Sequence, residues 1–170
     1  ANTRALGARV VTYDRYAENR EAIGTRIAAE TDAVIVPPYD DRDIIAGQGT
    51  VGLEIAEDAA ALGVVLDDVV VCCGGGGLTA GVATAIRSLS PTTRIWSAEP
   101  ATHDDTRRSL EKGEPVANAA DARSICDAIV TPTRGKLTFP INKALLAGGL
   151  AVSDDEVLAA VAFSLDTLKL

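Results

Sequence analysis

The sequence predicts an α/β fold, a parallel sheet flanked by helices, on three observations. Short apolar runs recur along the chain, segments of helical period separate them, and four consecutive glycines join one such run to a helix. Residues 8–13 (ARVVTY) read as a strand after the turn signal Leu6-Gly7. Residues 15–31 are polar with Ile23 and Ile27 four apart, an amphipathic helix. Residues 33–36 (AVIV) form a short strand stopped by Pro37-Pro38. Helical spacing returns over 50–62, with Val51, Ile55, Ala59 and Leu62 on one side. Residues 69–73 (VVVCC) are strand, 78–89 helix and 94–98 (RIWSA) strand. The chain is then polar and irregular from Pro100 to about Ile125. A helix over 139–146 is entered at Pro140 and followed by Gly148-Gly149. Ser153 with Glu156 makes a capping box that opens a last helix through Val157, Val161 and Leu165.

Composition narrows the function classes. Of the 170 residues, 47% are hydrophobic and 24% charged, the balance of a globular chain rather than a disordered one. A net charge of −8 argues against nucleic acid or an anionic membrane, both of which need a basic face. No apolar stretch approaches the roughly 20 residues of a membrane span. Cys72, Cys73 and Cys126 have neither zinc spacing nor a C-x-x-C arrangement, so a reduced, cytoplasmic protein is expected. The chain contains no Met, opens Ala1-Asn2-Thr3-Arg4 and ends without a C-cap signal, so it is expected to be an internal piece of a longer protein.

The chemistry centres on Gly74, Gly75, Gly76 and Gly77. Ordering four glycines is entropically expensive, so something must compensate. Between a buried strand and a helix, side-chain-free amides converge on an anion and the helix N-terminus adds favourable partial charge. A bare βα turn is the alternative, although two glycines usually suffice for one. No Lys follows Gly77, which removes a Walker loop. The G-x-G-x-x-G spacing fails in every register, though Glu99 at the end of the next strand keeps a dinucleotide reading open.

Four segments in order resemble the fold-type II pyridoxal-phosphate enzymes (tryptophan synthase β-like), in the serine/threonine dehydratase and serine racemase branch. They are Ala46-Gly47-Gln48-Gly49-Thr50 with Glu54, the tetraglycine followed by Leu78, Glu99-Pro100 with Asp104-Asp105, and Ser124-Ile125-Cys126-Asp127-Ala128. The resemblance implies that the amides of Gly74, Gly75, Gly76 and Gly77 hold the phosphate of pyridoxal 5'-phosphate. It also implies a divalent cation, Mg²⁺ or Ca²⁺, on Glu99, the carbonyl of His103 and Asp105; oxygen ligands suit either ion. A solvated acidic loop is the plainer reading of those residues. The ring of His103 is taken as an inert loop histidine.

The implied activity is dehydration and deamination of a β-hydroxy amino acid of the threonine, serine or hydroxyaspartate type. An amino-acid racemase and a non-catalytic phosphate- or nucleotide-binding domain are the alternatives. The family's Schiff-base lysine precedes its glycine loop, whereas Lys112, Lys136, Lys143 and Lys169 all follow it here. The chain alone is therefore expected to be inactive, with no catalytic residue of its own. Ala128 stands where the family has a glycine lining the cofactor. Residues 1–44 are expected to finish a smaller lobe, 45–170 to belong to a larger one, and the intact protein to be a homodimer. Asp40, Asp41 and Asp43 read as a polar turn, Trp96 as core, and Arg107-Arg108 as solvated.

Overall fold

A computed structural model describes residues 2–14 and 17–169, and the chain divides into two compact units, Ala1–Val36 and Pro37–Leu170. Residues 15, 16 and 170, which fall within two of the predicted helices, lie outside the described residues. In the first unit the regular elements are α1 (Asn2–Ala5) and α2 (Arg20–Thr31). Asn19 starts α2 by accepting from the Ala22 N–H at 3.0 Å, and Asp32 ends it in the left-handed conformation, φ 54°. Residues 8–13 and 33–36 are irregular rather than strands. A strand needs a neighbour for its N–H and C=O groups, and none pairs with these runs among the described residues.

The second unit holds three parallel strands in the order β1 (Asp68–Cys72), β2 (Arg94–Pro100) and β3 (Gly148–Val152). Val69 lies opposite Ile95, and Trp96 opposite Gly148. The parallel sheet between helices is as expected, but β3 is new. Gly148-Gly149 are expected only as the residues following the helix over 139–146, yet both are strand residues. A Cβ on Gly148 would come within 2.8 Å of the Trp96 ring, and one on Gly149 within 2.8 Å of Arg107 Cα. Trp96 is half-buried rather than core, and its Nε1 donates to Asp68 Oδ1 at 2.7 Å.

Helix α3 (Arg42–Ala61) begins well before the predicted 50–62, because Asp41 Oδ1 accepts from the N–H groups of Asp43 (2.9 Å) and Ile44 (3.2 Å). The Ala46-Gly47-Gln48-Gly49-Thr50 segment is thus helical. Gly49 of that segment and Gly52 beyond it let α3 cross α4 (Gly77–Leu89) closely. A Cβ on Gly52 would lie 2.8 Å from the Val82 carbonyl oxygen, and one on Gly81 would strike the Ile45 carbonyl. The core is Val69 and Val71 of β1, Ile95 of β2, and Val82, Ala83 and Ile86 of α4. Each large side chain contributes about 1.5–3 kcal/mol on burial. A 3₁₀ turn (Ala101–His103) leads from β2 into α5 (Asp105–Lys112), and α6 (Thr138–Leu145) packs on α4. Helix α7 (Asp154–Phe163) has the expected Ser153–Glu156 capping box and passes into a π-helical turn, Ser164–Leu168. Among the described residues no helix is long and apolar enough to cross a membrane.

Candidate functional site

The glycine run forms the β1–α4 turn, with Gly76 in the left-handed conformation at φ 90° as the N-cap of α4. Gly75, Gly76 and Gly77 are buried. Side chains crowd the turn from several directions. A Cβ on Gly75 would enter the Tyr39 ring, one on Gly76 would lie 2.7 Å from Asn142 Nδ2, and one on Gly74 would lie 3.1 Å from Ile129 Cα. Two carbonyls of the turn are tethered: Thr138 Oγ1 donates to Gly75 O at 2.7 Å and Asn142 Nδ2 to Gly76 O at 3.2 Å. Asp40, itself at φ 60°, accepts from the N–H groups of Lys136 (2.9 Å), Leu137 (2.7 Å) and Thr138 (3.2 Å), fixing the start of α6. This carboxylate supports the turn from behind, a role the polar-turn reading missed.

The amides are arranged differently from the carbonyls. Among the described residues, the N–H groups of Gly74, Gly75, Gly76, Gly77, Leu78 and Thr79 donate to no backbone or side-chain acceptor. They sit at the positive end of a 13-residue helix. A donor set of bare amides in a cradle that any Cβ would fill fits the phosphate end of pyridoxal phosphate. In the Ser124-to-Ala128 segment, Ser124 Oγ donates to Asp154 Oδ1 at 2.6 Å, and Ala128 is exposed beside Ile129, which lies against Gly74.

Two of the three predicted cation ligands, the carboxylates of Glu99 and Asp105, are brought together, but around a side chain that the sequence reading did not single out. Glu99, at the end of β2, and Asp105, at the start of α5, are both fully buried. Glu99 Oε1 accepts from Thr106 N (3.0 Å) and Thr106 Oγ1 (2.6 Å), and Oε2 from Arg107 N (3.0 Å), so this carboxylate caps α5. Arg134 Nη1 then reaches Glu99 Oε1 at 2.7 Å while Nη2 pairs with Asp105 Oδ2. Asn118 Nδ2 donates to Asp105 Oδ1 at 2.6 Å. Burial pushes the Asp105 carboxyl up to about 6 against the pull of Arg134 and Asn118.

A divalent ion shared by Glu99 and Asp105 would need the position the guanidinium occupies. With Arg134 in place, these residues do not fit it. Among the described residues no group of three or more His, Cys, Asp or Glu side chains is arranged to hold a metal. His103 is buried rather than exposed, because the 3₁₀ turn tucks it in; its Nδ1 lies 3.0 Å from Thr102 Oγ1, and burial lowers its basicity. Arg107 and Arg108 are not simply solvated: both pair with Asp104, Arg108 Nε at 2.7 Å from Oδ1. Cys73 is buried, which raises its thiol above the ordinary range and keeps it protonated.

No spacing signal ties Arg134 to Glu99, 35 positions earlier. It stands two residues before Lys136 in a Pro- and Thr-containing stretch, and only the fold reveals its partners.

Known proteins extend these observations. An L-threo-3-hydroxyaspartate ammonia-lyase of Saccharomyces cerevisiae is 38% identical over 99% of this chain and 50% of its own length. A serine racemase of Schizosaccharomyces pombe is 34% identical over the whole chain and 51% of its own. Among solved structures, a threonine deaminase from T.th. superimposes with a TM-score of 0.90 at 40% identity, covering 98% of this chain and 54% of that one. The chain spans about half the length of the curated relatives it matches. Residues 1–168 match the family described as pyridoxal-phosphate dependent enzymes, and with the free amides of the glycine turn this chain belongs to that family.

Proposed function

We propose that the protein containing this chain is a pyridoxal-phosphate-dependent ammonia-lyase that removes water and ammonia from a β-hydroxy amino acid. The observation that carries this reading is the row of six amides at the start of α4, unmatched by any acceptor among the described residues. Uncommitted amides at a helix N-terminus suit a doubly charged phosphate. When bound, pyridoxal phosphate supplies the electron sink that lets a proton leave Cα and the β-hydroxyl follow.

The residues of this chain position that group. Gly74, Gly75, Gly76 and Gly77 bind the phosphate through N–H groups. Thr138 and Asn142 would keep two of the turn's carbonyls engaged while its amides hold the phosphate. Tyr39 packs against Gly75 and Gly77 and closes one side of the cradle. The names of two relatives, hydroxyaspartate ammonia-lyase and threonine deaminase, support a hydroxy amino acid as substrate.

Because every lysine of the chain follows the turn, we assign the covalent anchoring of the cofactor to a lysine outside these 170 residues. On that assignment the chain alone does not turn over substrate. Residues 1–44 ending a smaller lobe and 45–170 forming part of a larger one are part of the same proposal. A cytoplasmic homodimer is too; exposed apolar side chains along and after α7, Leu158, Val161, Phe163 and Leu165, support contact with further polypeptide.

The test uses the full-length protein, purified and dialysed, with bound cofactor followed by its visible absorbance. Keto-acid release from L-threonine, L-serine and threo-3-hydroxyaspartate is measured alongside. Replacing Gly75 by Asp is expected to abolish cofactor retention. A full-length protein that carries no pyridoxal phosphate and takes up none sinks the proposal.

A further inference from the structure

The guanidinium of Arg134 is 1% exposed and lies between two carboxylates that are not exposed at all. Two buried carboxylates facing one another cannot both stay ionised without a cation between them. Either a metal ion or a protein side chain can meet that demand. Here a side chain does: Nη1 takes Glu99 at 2.7 Å and Nη2 takes Asp105.

Further donors come from within the chain, Thr106 and Arg107 on Glu99 and Asn118 on Asp105 Oδ1. Asn118 also donates to Thr131 O at 2.8 Å, and Arg134 Nη2 to Thr131 Oγ1 at 3.3 Å, which ties the Arg134 segment to the same cluster. The guanidinium therefore bridges the end of β2, the start of α5 and the segment leading into α6.

We propose that Arg134 is a built-in cation at the Glu99–Asp105 pair, so that this protein needs no divalent ion there and acquires a divalent-ion site when Arg134 is removed. The inference rests on the ion cluster alone and stands whether or not the glycine turn binds pyridoxal phosphate.

Charge and space both favour this outcome. A bound Mg²⁺ or Ca²⁺ keeps its oxygen ligands at about 2.0–2.6 Å, inside the volume the guanidinium fills. Truncating the side chain empties that volume and leaves two carboxylates aimed into it. Oxygen ligands of this kind, completed by water, suit a hard divalent ion.

The test is made on the full-length protein, first stripped with EDTA and then melted with and without millimolar MgCl₂ or CaCl₂ at matched ionic strength in KCl. Mn²⁺ binding, read by electron paramagnetic resonance, is the second measurement. Wild type is expected to melt at the same temperature in all three media and to bind no stoichiometric Mn²⁺. Arg134→Ala is expected to melt several degrees lower in EDTA and to recover most of the loss in Mg²⁺ or Ca²⁺. It is also expected to bind one Mn²⁺ per chain, a site that Glu99→Gln removes in the same background.

One tight Mn²⁺ per wild-type chain, lost in Glu99→Gln, overturns the proposal, as does wild-type melting that rises with Mg²⁺. An Arg134→Ala protein equally unstable in EDTA and in Mg²⁺ overturns the acquired site. If that variant does not fold in either medium, Arg134→Gln, which keeps most of the side-chain volume, is measured in its place by the same two readouts.

Discussion

Replacing Gly76 by Ala tests the turn most directly, because backbone conformation and packing both oppose a side chain there. At φ 90° a Cβ is strained, at a cost of about 1–2 kcal/mol. The same Cβ would lie 2.7 Å from Asn142 Nδ2 and 3.0 Å from Thr138 Oγ1. Both neighbours are fully buried and cannot swing into water. The overlap is relieved either by overpacking, about 1–3 kcal/mol, or by moving Asn142 off Gly76 O, which strands a buried amide at about 1–3 kcal/mol. These are two routes out of one clash, so a single such penalty applies. Alanine also restricts the unfolded chain, which offsets about 0.4–1 kcal/mol. The net expectation is a loss of about 1–4.6 kcal/mol.

Equilibrium urea unfolding measures this, and a double-mutant cycle separates the two causes. In an Asn142→Ala background the nearest obstacle is gone and Thr138 has room to relax. Gly76→Ala is then expected to cost only the backbone strain less the same unfolded-chain offset, about 0–1.6 kcal/mol. A loss below about 1 kcal/mol in the wild-type background would refute the reasoning. So would a loss unchanged by Asn142→Ala, since the clash would then contribute nothing.

Two further substitutions probe the supports of the same turn. Asp40→Ala removes the acceptor for three N–H groups at the start of α6 and is expected to cost about 1–2 kcal/mol in urea unfolding. Asp40→Asn keeps one acceptor oxygen and tolerates the left-handed backbone, so a smaller loss is expected from it. Ile86→Ala, in the fully buried face of α4, is expected to cost about 2–5 kcal/mol by the same assay, with an unchanged m-value.

The central βαβ stretch was legible because local signals and tertiary structure agree there. VVVCC, the glycines and the apolar face of α4 each specify one element, and their limits fall within a residue or two of those observed. Signals failed where packing overrides propensity. Gly148 and Gly149 are expected only to follow a helix, yet they are strand residues cleared for the Trp96 ring and the Arg107 backbone. Gly47, Gly49 and Gly52 look like helix breakers, but the last two let α3 approach α4. The runs at 8–13 and 33–36 have strand composition without a partner strand, and composition alone does not pair a backbone. The site shows the same split. Its glycines and carboxylates carry family motifs and could be read in order, whereas Asp40 and Arg134 act through contacts between segments far apart in sequence.

The helix starts support the proposal that the glycine turn, and not another part of the sheet edge, takes the ligand. Every helix of the described chain with eight or more residues begins with N–H groups that need acceptors. For most of them the chain supplies one: Asn19 for α2, Asp41 for α3, Glu99 for α5, Asp40 for α6 and Ser153 for α7. Two of these acceptors come from outside the helix they cap, Glu99 from the preceding strand and Asp40 from 97 residues away, so the fold brings carboxylates to helix N-termini. At α4 it does the opposite. The N-cap is a glycine, the preceding residues have no side chains, and the nearby Thr138 and Asn142 donate to carbonyls instead of accepting from amides. The positive end of α4, with eight of its thirteen residues buried, is thus left without a side-chain acceptor among the described residues, which supports the proposed phosphate site there.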